Sequence, residues 1–144
     1  AAERYNPLFR SRLGMYGVDE AGDAPLWQFP ADQIGLCFAY HFFDFRPMPV
    51  LDRWFRDLWR VLRPGGRLIF TYNNCDRVNG AMNGEQCYMA WTPGHQVQRL
   101  LTNLGFEITC HDQAVTSWIE AVRPGVMTSL RGSSTQARVY PKSA

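Results

Sequence analysis

The 144-residue sequence has no apolar run approaching the ~20 residues that a transmembrane helix needs. Residues 1–15, AAERYNPLFRSRLGM, contain arginines but no apolar h-region, which argues against a secretory signal peptide. Neither sign of charge dominates. Fifteen basic and 13 acidic side chains leave a formal net charge of +2, so nothing pulls the chain toward nucleic acid or an anionic membrane surface. The four cysteines, Cys37, Cys75, Cys87 and Cys110, form no CxxC pair and match no zinc spacing. Four free thiols in a reducing, cytoplasm-like compartment are expected, and no metal site. There is no internal repeat and no long low-complexity segment. What is present is core material: 46% of residues are hydrophobic and 14% aromatic. One domain of this length can bury roughly 68–70% of the surface its unfolded chain exposes.

Punctuation and periodicity divide the chain. NPLFRSRLG, residues 6–14, reads as a short helix with Asn6 as cap, Pro7 in the first turn and Gly14 at the end. MYGVDEA, residues 15–21, reads as a short strand running into a Gly/Asp/Pro loop. QIGLCFAY, residues 33–40, is nearly all apolar, the pattern of a strand buried on both faces of a parallel sheet. PVLDRWFRDLWRVL, residues 49–62, is the clearest helix, with Leu51, Trp54, Phe55, Leu58 and Leu62 on one stripe. Trp54 and Trp59 read as packing, and Asp52–Arg56 and Arg53–Asp57 as ion pairs on the wet side. Pro64-Gly65-Gly66 ends that helix and turns the chain into a strand at 67–72, RLIFTY. Strand, helix and parallel strand make a right-handed unit. Residues 73–91 read as a long loop in which Asn73 and Asn74 satisfy backbone groups. A helix over 94–104 and two strands, 106–112 and 117–123, follow; the connection between the strands is too short for a crossover, so they pair antiparallel.

Several pieces together resemble the second half of a class I S-adenosylmethionine-dependent methyltransferase. GDAPLWQFPAD (22–32) is similar to that family's segment at the end of its third strand. DQIGLCFAYHF (32–42) resembles its fourth strand, LDRWFRDLWRVLRPGGRLIFT (51–71) its following helix, Pro-Gly-Gly turn and fifth strand, and TPGHQVQRLLTNLGFEI (92–108) its last helix and sixth strand. The resemblance covers residues 20–123 and implies an α/β fold: an incomplete Rossmann-like sheet, strands 4-5-7-6 in the family's order, with the last strand antiparallel. Residues 1–19 then form an N-terminal extension and 124–144 a polar C-terminal one.

The resemblance also implies a cofactor and a site. S-adenosylmethionine would bind outside the carboxyl ends of the strands. Asp23 would accept from its adenine amino group and Ala24 would offer a backbone N–H. Phe38, Tyr40 and His41 would line the methyl end, with His41 and Tyr40 as the catalytic pair and His41 as the base where an acceptor needs one. Asp19 would take the ribose hydroxyls. Plainer readings stand beside these: a turn-forming Asp23, a Tyr40 packed in the core, a His41 bonded to backbone. The family's glycine-rich cofactor loop has no counterpart before residue 22, nor is there an Asn/Asp-Pro-Pro-aromatic segment after residue 40, which disfavours a base-amine acceptor. Two functions follow: a methyltransferase domain that works within a longer chain or assembly and is inactive by itself, or a non-catalytic subunit of a large complex (virion, ribosome-like or respiratory). Either way the 34–40 strand edge is expected to be covered, by an upstream part of the same protein or by another subunit.

Overall fold

The computed structural model describes residues 14, 16–113 and 116–125. The expected helix at 6–14 and nearly all of the C-terminal extension lie outside the described residues. In chain order the elements are β1 (Ile34–Ala39), a 3-10 turn (Phe43–Phe45), α1 (Met48–Val61), β2 (Leu62–Tyr72), α2 (Val78–Glu85), α3 (Gly94–Asn103), β3 (Glu107–Asp112) and β4 (Ser117–Val122). They build one four-stranded sheet in the order β1-β2-β4-β3, as the sequence predicts. β1 is parallel to β2, and β4 runs antiparallel to both of its neighbours. This is a mixed α/β arrangement of the kind expected from the sequence.

Helix α1 follows Pro47, its extended N-cap, carries Pro49 in its first turn, where proline's fixed φ suits a helix, and lays Leu51, Trp54, Phe55, Leu58 and Val61 into the core. Leu68, Phe70, Tyr72, Ile119 and Ala121 meet them from the inner face of the sheet. Each large apolar side chain buried there stabilises the fold by roughly 1.5–3 kcal/mol. Phe43 joins the two layers, with its ring centroid 5.3 Å from Phe55 and 5.5 Å from Phe70.

The hinge after α1 is tighter than the sequence suggests. The strand begins at Leu62, five residues earlier than expected, because Leu62 already pairs with Ile34; residues 63–66 then bulge out before Arg67 pairs with Leu36. Gly65 takes φ 78°, the left-handed conformation open to glycine. Its N–H donates to the Arg123 carbonyl at 2.7 Å, which ties the bulge to the end of β4.

Four other expectations are corrected. MYGVDEA is not a strand: residues 16–22 are irregular, and the Asp19 carboxylate caps the N–H groups of Ala21 and Gly22 in a local turn. The 73–91 segment is not all loop, since VNGAMNGE forms α2. Gly80 there marks a close approach rather than a break: a Cβ would sit 2.0 Å from the Asn74 carbonyl oxygen. Asp57 does not pair with Arg53 on the wet side. It is buried, accepts the Leu26 N–H at 2.6 Å and pairs with Arg60 at 2.7 Å, so segment 25–29 is pinned to α1. Finally, β1 is not buried on both faces. It is the edge of the sheet, and Leu36, Phe38 and Tyr40 are 57%, 61% and 56% exposed.

Candidate active-site cleft

Parallel β1 and β2 end at Ala39 and Tyr72, and the reversed strand β4 begins at Ser117, so all three open onto the same end of the sheet. Open α/β sheets bind ligands outside the carboxyl ends of their strands. A cleft of about 450 Å³ lies there, and His41, Asp44, Asn73, Asp76, Arg77 and Ser117 are among the residues that line it.

His41 reaches the cleft through a break in strand alternation. It adopts φ 50°, rare for a residue with a side chain and worth on the order of 1–3 kcal/mol of strain. The strain is held by a relay. The His41 N–H donates to Thr71 Oγ1 at 2.8 Å, and the Thr71 hydroxyl donates to Asp44 Oδ2 at 2.7 Å. Asp44 is 2% exposed, and His41 Nδ1 lies 3.6 Å from its Oδ2. The short turn that carries Asp44 is fixed on one side by Phe43 in the core and on the other by the Ala90 N–H on the Asp44 carbonyl.

The second wall follows β2. Asn73 and Asn74 serve the loop, as expected: Asn73 Nδ2 donates to the carbonyls of Gly80 and Ala90, and Asn74 Oδ1 accepts the N–H groups of Asp76 and Gly94. Asp76 receives the His95 N–H at 2.7 Å and faces the His95 ring nitrogen at 2.9 Å. Burial acts to raise its pKa, but these His95 hydrogen bonds and charge outweigh it and hold the carboxyl below its ordinary value. Tyr72 is buried with its hydroxyl 2.8 Å from His111 Nε2. Burial, helped by the Asp76 charge and opposed by Ser117, pushes the phenol far above its ordinary value, so it remains a neutral hydrogen-bonding group. Burial lowers the His111 pKa, against Asp112. Among the described residues no cluster of three or more His, Cys, Asp or Glu forms that could hold a metal ion.

The structure brings Phe38, Tyr40 and His41 together and then splits them between two surfaces. His41 faces the cleft. Tyr40 stays on the outer face of the sheet, not in the core, with its ring 4.1 Å from His41 and stacked 5.6 Å from Trp118; Phe38 lies 5.9 Å from Trp118 on the same face. Phe38 and Tyr40 also border a second, apolar cavity of about 340 Å³ along β1, with Cys37, Phe42, Trp54 and Leu58. Burial there pushes the Cys37 thiol up to about 11, and Trp54 Nε1 is buried without a hydrogen-bond partner among the described residues. Asp19, Asp23 and Ala24 line neither cavity. Asp23 is exposed and makes no ion pair among the described residues, and the Ala24 carbonyl closes a turn onto the Trp27 N–H. Sequence reasoning missed Asp44, Thr71 and Tyr72. The available signal was FFDFRP, an acid set among three phenylalanines five residues past a strand end.

No family model and no curated protein matches the sequence. Solved structures do match the fold. An O-methyltransferase family protein from Burkholderia thailandensis is similar with a TM-score of 0.64 at 11% identity, over 81% of this chain and 37% of that one. A candidate methyltransferase in complex with the Haloferax volcanii Trm112 methyltransferase activator matches with a TM-score of 0.54 at 15% identity, over 67% of this chain and 57% of that one. Geranyl diphosphate C-methyltransferase from Streptomyces coelicolor A3(2), solved with S-adenosyl-L-homocysteine, matches with a TM-score of 0.52 at 10% identity, over 66% of this chain and 50% of that one. The chain therefore has a methyltransferase-type fold and spans between 37% and 57% of the length of these structures.

Proposed function

We propose that this chain carries the methyl-acceptor side of an S-adenosylmethionine-dependent methyltransferase domain. The observation that carries the reading is the polar cleft at the carboxyl ends of β1 and β2, with a strained histidine turned into it. In this reading one wall of the cofactor site draws on β1 and on Asp19, Asp23 and Ala24 before it, which line neither cavity by themselves. Phe38 and Tyr40 offer exposed aromatic faces, Asp23 an exposed carboxylate, and Ala24 a backbone N–H close by. Asp19, with one carboxylate oxygen engaged by its own turn, keeps the other for a hydroxyl. The cofactor supplies an electrophilic methyl group when bound. His41 and Tyr40, at the end of β1, position the acceptor, and His41 receives a proton when the acceptor carries one. Much of such a reaction comes from holding two reactants at attack distance.

The other wall comes from polypeptide lying along the open edge of β1, and the described residues by themselves transfer no methyl group. Among the described residues no second strand pairs with that edge, which carries an exposed apolar row, a surface that favours pairing with another segment or chain. One of the similar structures is itself a complex with an activator protein. The same edge supports a second reading, a non-catalytic subunit whose β1 serves only as a docking strand. No helix among the described residues is long and apolar enough to cross a membrane.

Titration calorimetry with S-adenosylmethionine tests the half-site. Weak or no binding is expected for the isolated chain, and low-micromolar affinity would sink the one-wall reading. In an active assembly, Asp23→Ala should weaken cofactor binding, whereas His41→Ala and Tyr40→Phe should mainly lower turnover. Unchanged turnover in all three variants favours the docking-strand reading.

A further inference from the structure

Asp44 is a buried carboxylate whose nearest basic group is His41. Among the described residues it forms no ion pair with a lysine or arginine. One oxygen accepts the Thr71 hydroxyl and lies 3.6 Å from His41 Nδ1, and the other makes no hydrogen bond among the described residues. The second oxygen is not sealed from the cleft, so a donor on a bound molecule can reach it and offset the cost of burying the carboxylate. The remaining charges of the cleft are accounted for. Asp76 is held by His95. Arg77 is exposed, where water and salt weaken its field, whereas the charge of a buried group is screened far less.

Resting on the acceptor-cleft reading above, we propose that the acceptor is a small aliphatic amine. It binds as its ammonium ion, with Asp44 as anionic floor and His41 as base. The ammonium N–H bond breaks and the proton bonds to His41 Nε2, the ring nitrogen away from Asp44. The positive charge moves to the imidazolium beside Asp44, and the amine nitrogen keeps the lone pair that a methyl acceptor must offer. A hydroxyl acceptor fits this floor badly, because its developing alkoxide would face the Asp44 carboxylate at close range. An amine passes from positive to neutral and never carries that repulsion. The lining from Asn79, Asn83, Thr116 and Ser117 suits a polar rather than a greasy molecule. Asp44 and Thr71 also act as positioning residues, because their relay holds the His41 backbone in its left-handed turn.

The test is an amide-shift NMR titration of the full 144-residue chain with two matched probes, ethanolamine and ethylene glycol, with no S-adenosylmethionine added. Ethanolamine should shift the amides of His41, Asp44, Thr71 and Asn73 and bind about tenfold more tightly than the diol, the scale of one charge-assisted hydrogen bond. Asp44→Asn keeps an acceptor for the Thr71 hydroxyl; it should weaken ethanolamine binding about tenfold and leave the diol unchanged. Equal affinity for the two probes, no shift with either, or ethanolamine binding untouched in folded Asp44→Asn overturns the proposal. If Asp44→Asn fails to fold, the comparison of the two probes on the native chain decides alone. Because no cofactor is present, amine binding can succeed while the methyltransferase reading fails, and the two failures stay distinguishable.

Discussion

QIGLCFAY and RLIFTY are similar in apolar content, yet they meet opposite fates. In β2, Leu68 and Phe70 are fully buried, between β1 and β4 in the sheet and beneath α1. In β1, Leu36 and Phe38 stand more than half exposed, because among the described residues β1 has one strand neighbour, and Trp118 beside Phe38 and Tyr40 covers little of its outer face. Burial is thus set by what neighbours a strand rather than by its own composition. The contrast also divides labour: β2 holds the fold together, while β1 carries His41 and the surface open to a partner.

The largest test of this contrast is Phe70→Ala. It removes a ring that packs on Phe43 and Phe55 and should destabilise the chain by about 3–5 kcal/mol in urea unfolding. A loss no larger than that of an outer-face substitution would erase the distinction between the strands. Gly65→Ala probes the hinge that sets their register. With φ 78° at that residue, a loss of about 1–2 kcal/mol is expected, and a neutral result would mean that the bulge rearranges freely. Phe38→Ala should cost less than about 1 kcal/mol in the isolated chain and raise the soluble monomer fraction. A cost near that of Phe70→Ala, with slow hydrogen exchange along 34–40, would show that chain outside the described residues covers β1. The smallest effect concerns pH. The folded Asp76 carboxyl titrates below its unfolded value near 3.9, so its contribution is present above that value and is lost as pH falls through the depressed one. Asp76 is 38% exposed at its side chain, so Asp76→Asn should remove less than about 1 kcal/mol at neutral pH and flatten the acid limb of a stability–pH profile. An unchanged acid limb would separate Asp76 from it.

Local sequence determined the elements whose signals are local. The three- and four-residue spacing of Leu51, Trp54, Phe55 and Leu58 produces α1, because an amphipathic stripe must face a core. Gly65 within Pro64-Gly65-Gly66 produces the bulge just past the end of α1, because glycine tolerates the positive φ it adopts. The short link between the last two strands required their antiparallel pairing, whereas the sheet order was implied by the family resemblance. The resemblance pointed to His41, Tyr40 and Phe38 at one strand end. Tertiary structure alone decided how that end is used. His41 lines the cleft while Tyr40, in ring contact with it, does not, because Thr71, 30 residues away, binds the His41 N–H in a left-handed turn. Asp44 becomes the floor of the cleft because Phe43 anchors in the core and draws the next side chain under Thr71. Asp57 leaves the wet face of α1 because the Leu26 N–H, 31 residues away, needs an acceptor. Such long-range hydrogen bonds leave no periodicity in a sequence, since their partners are joined by the packing of elements and not by spacing along the chain.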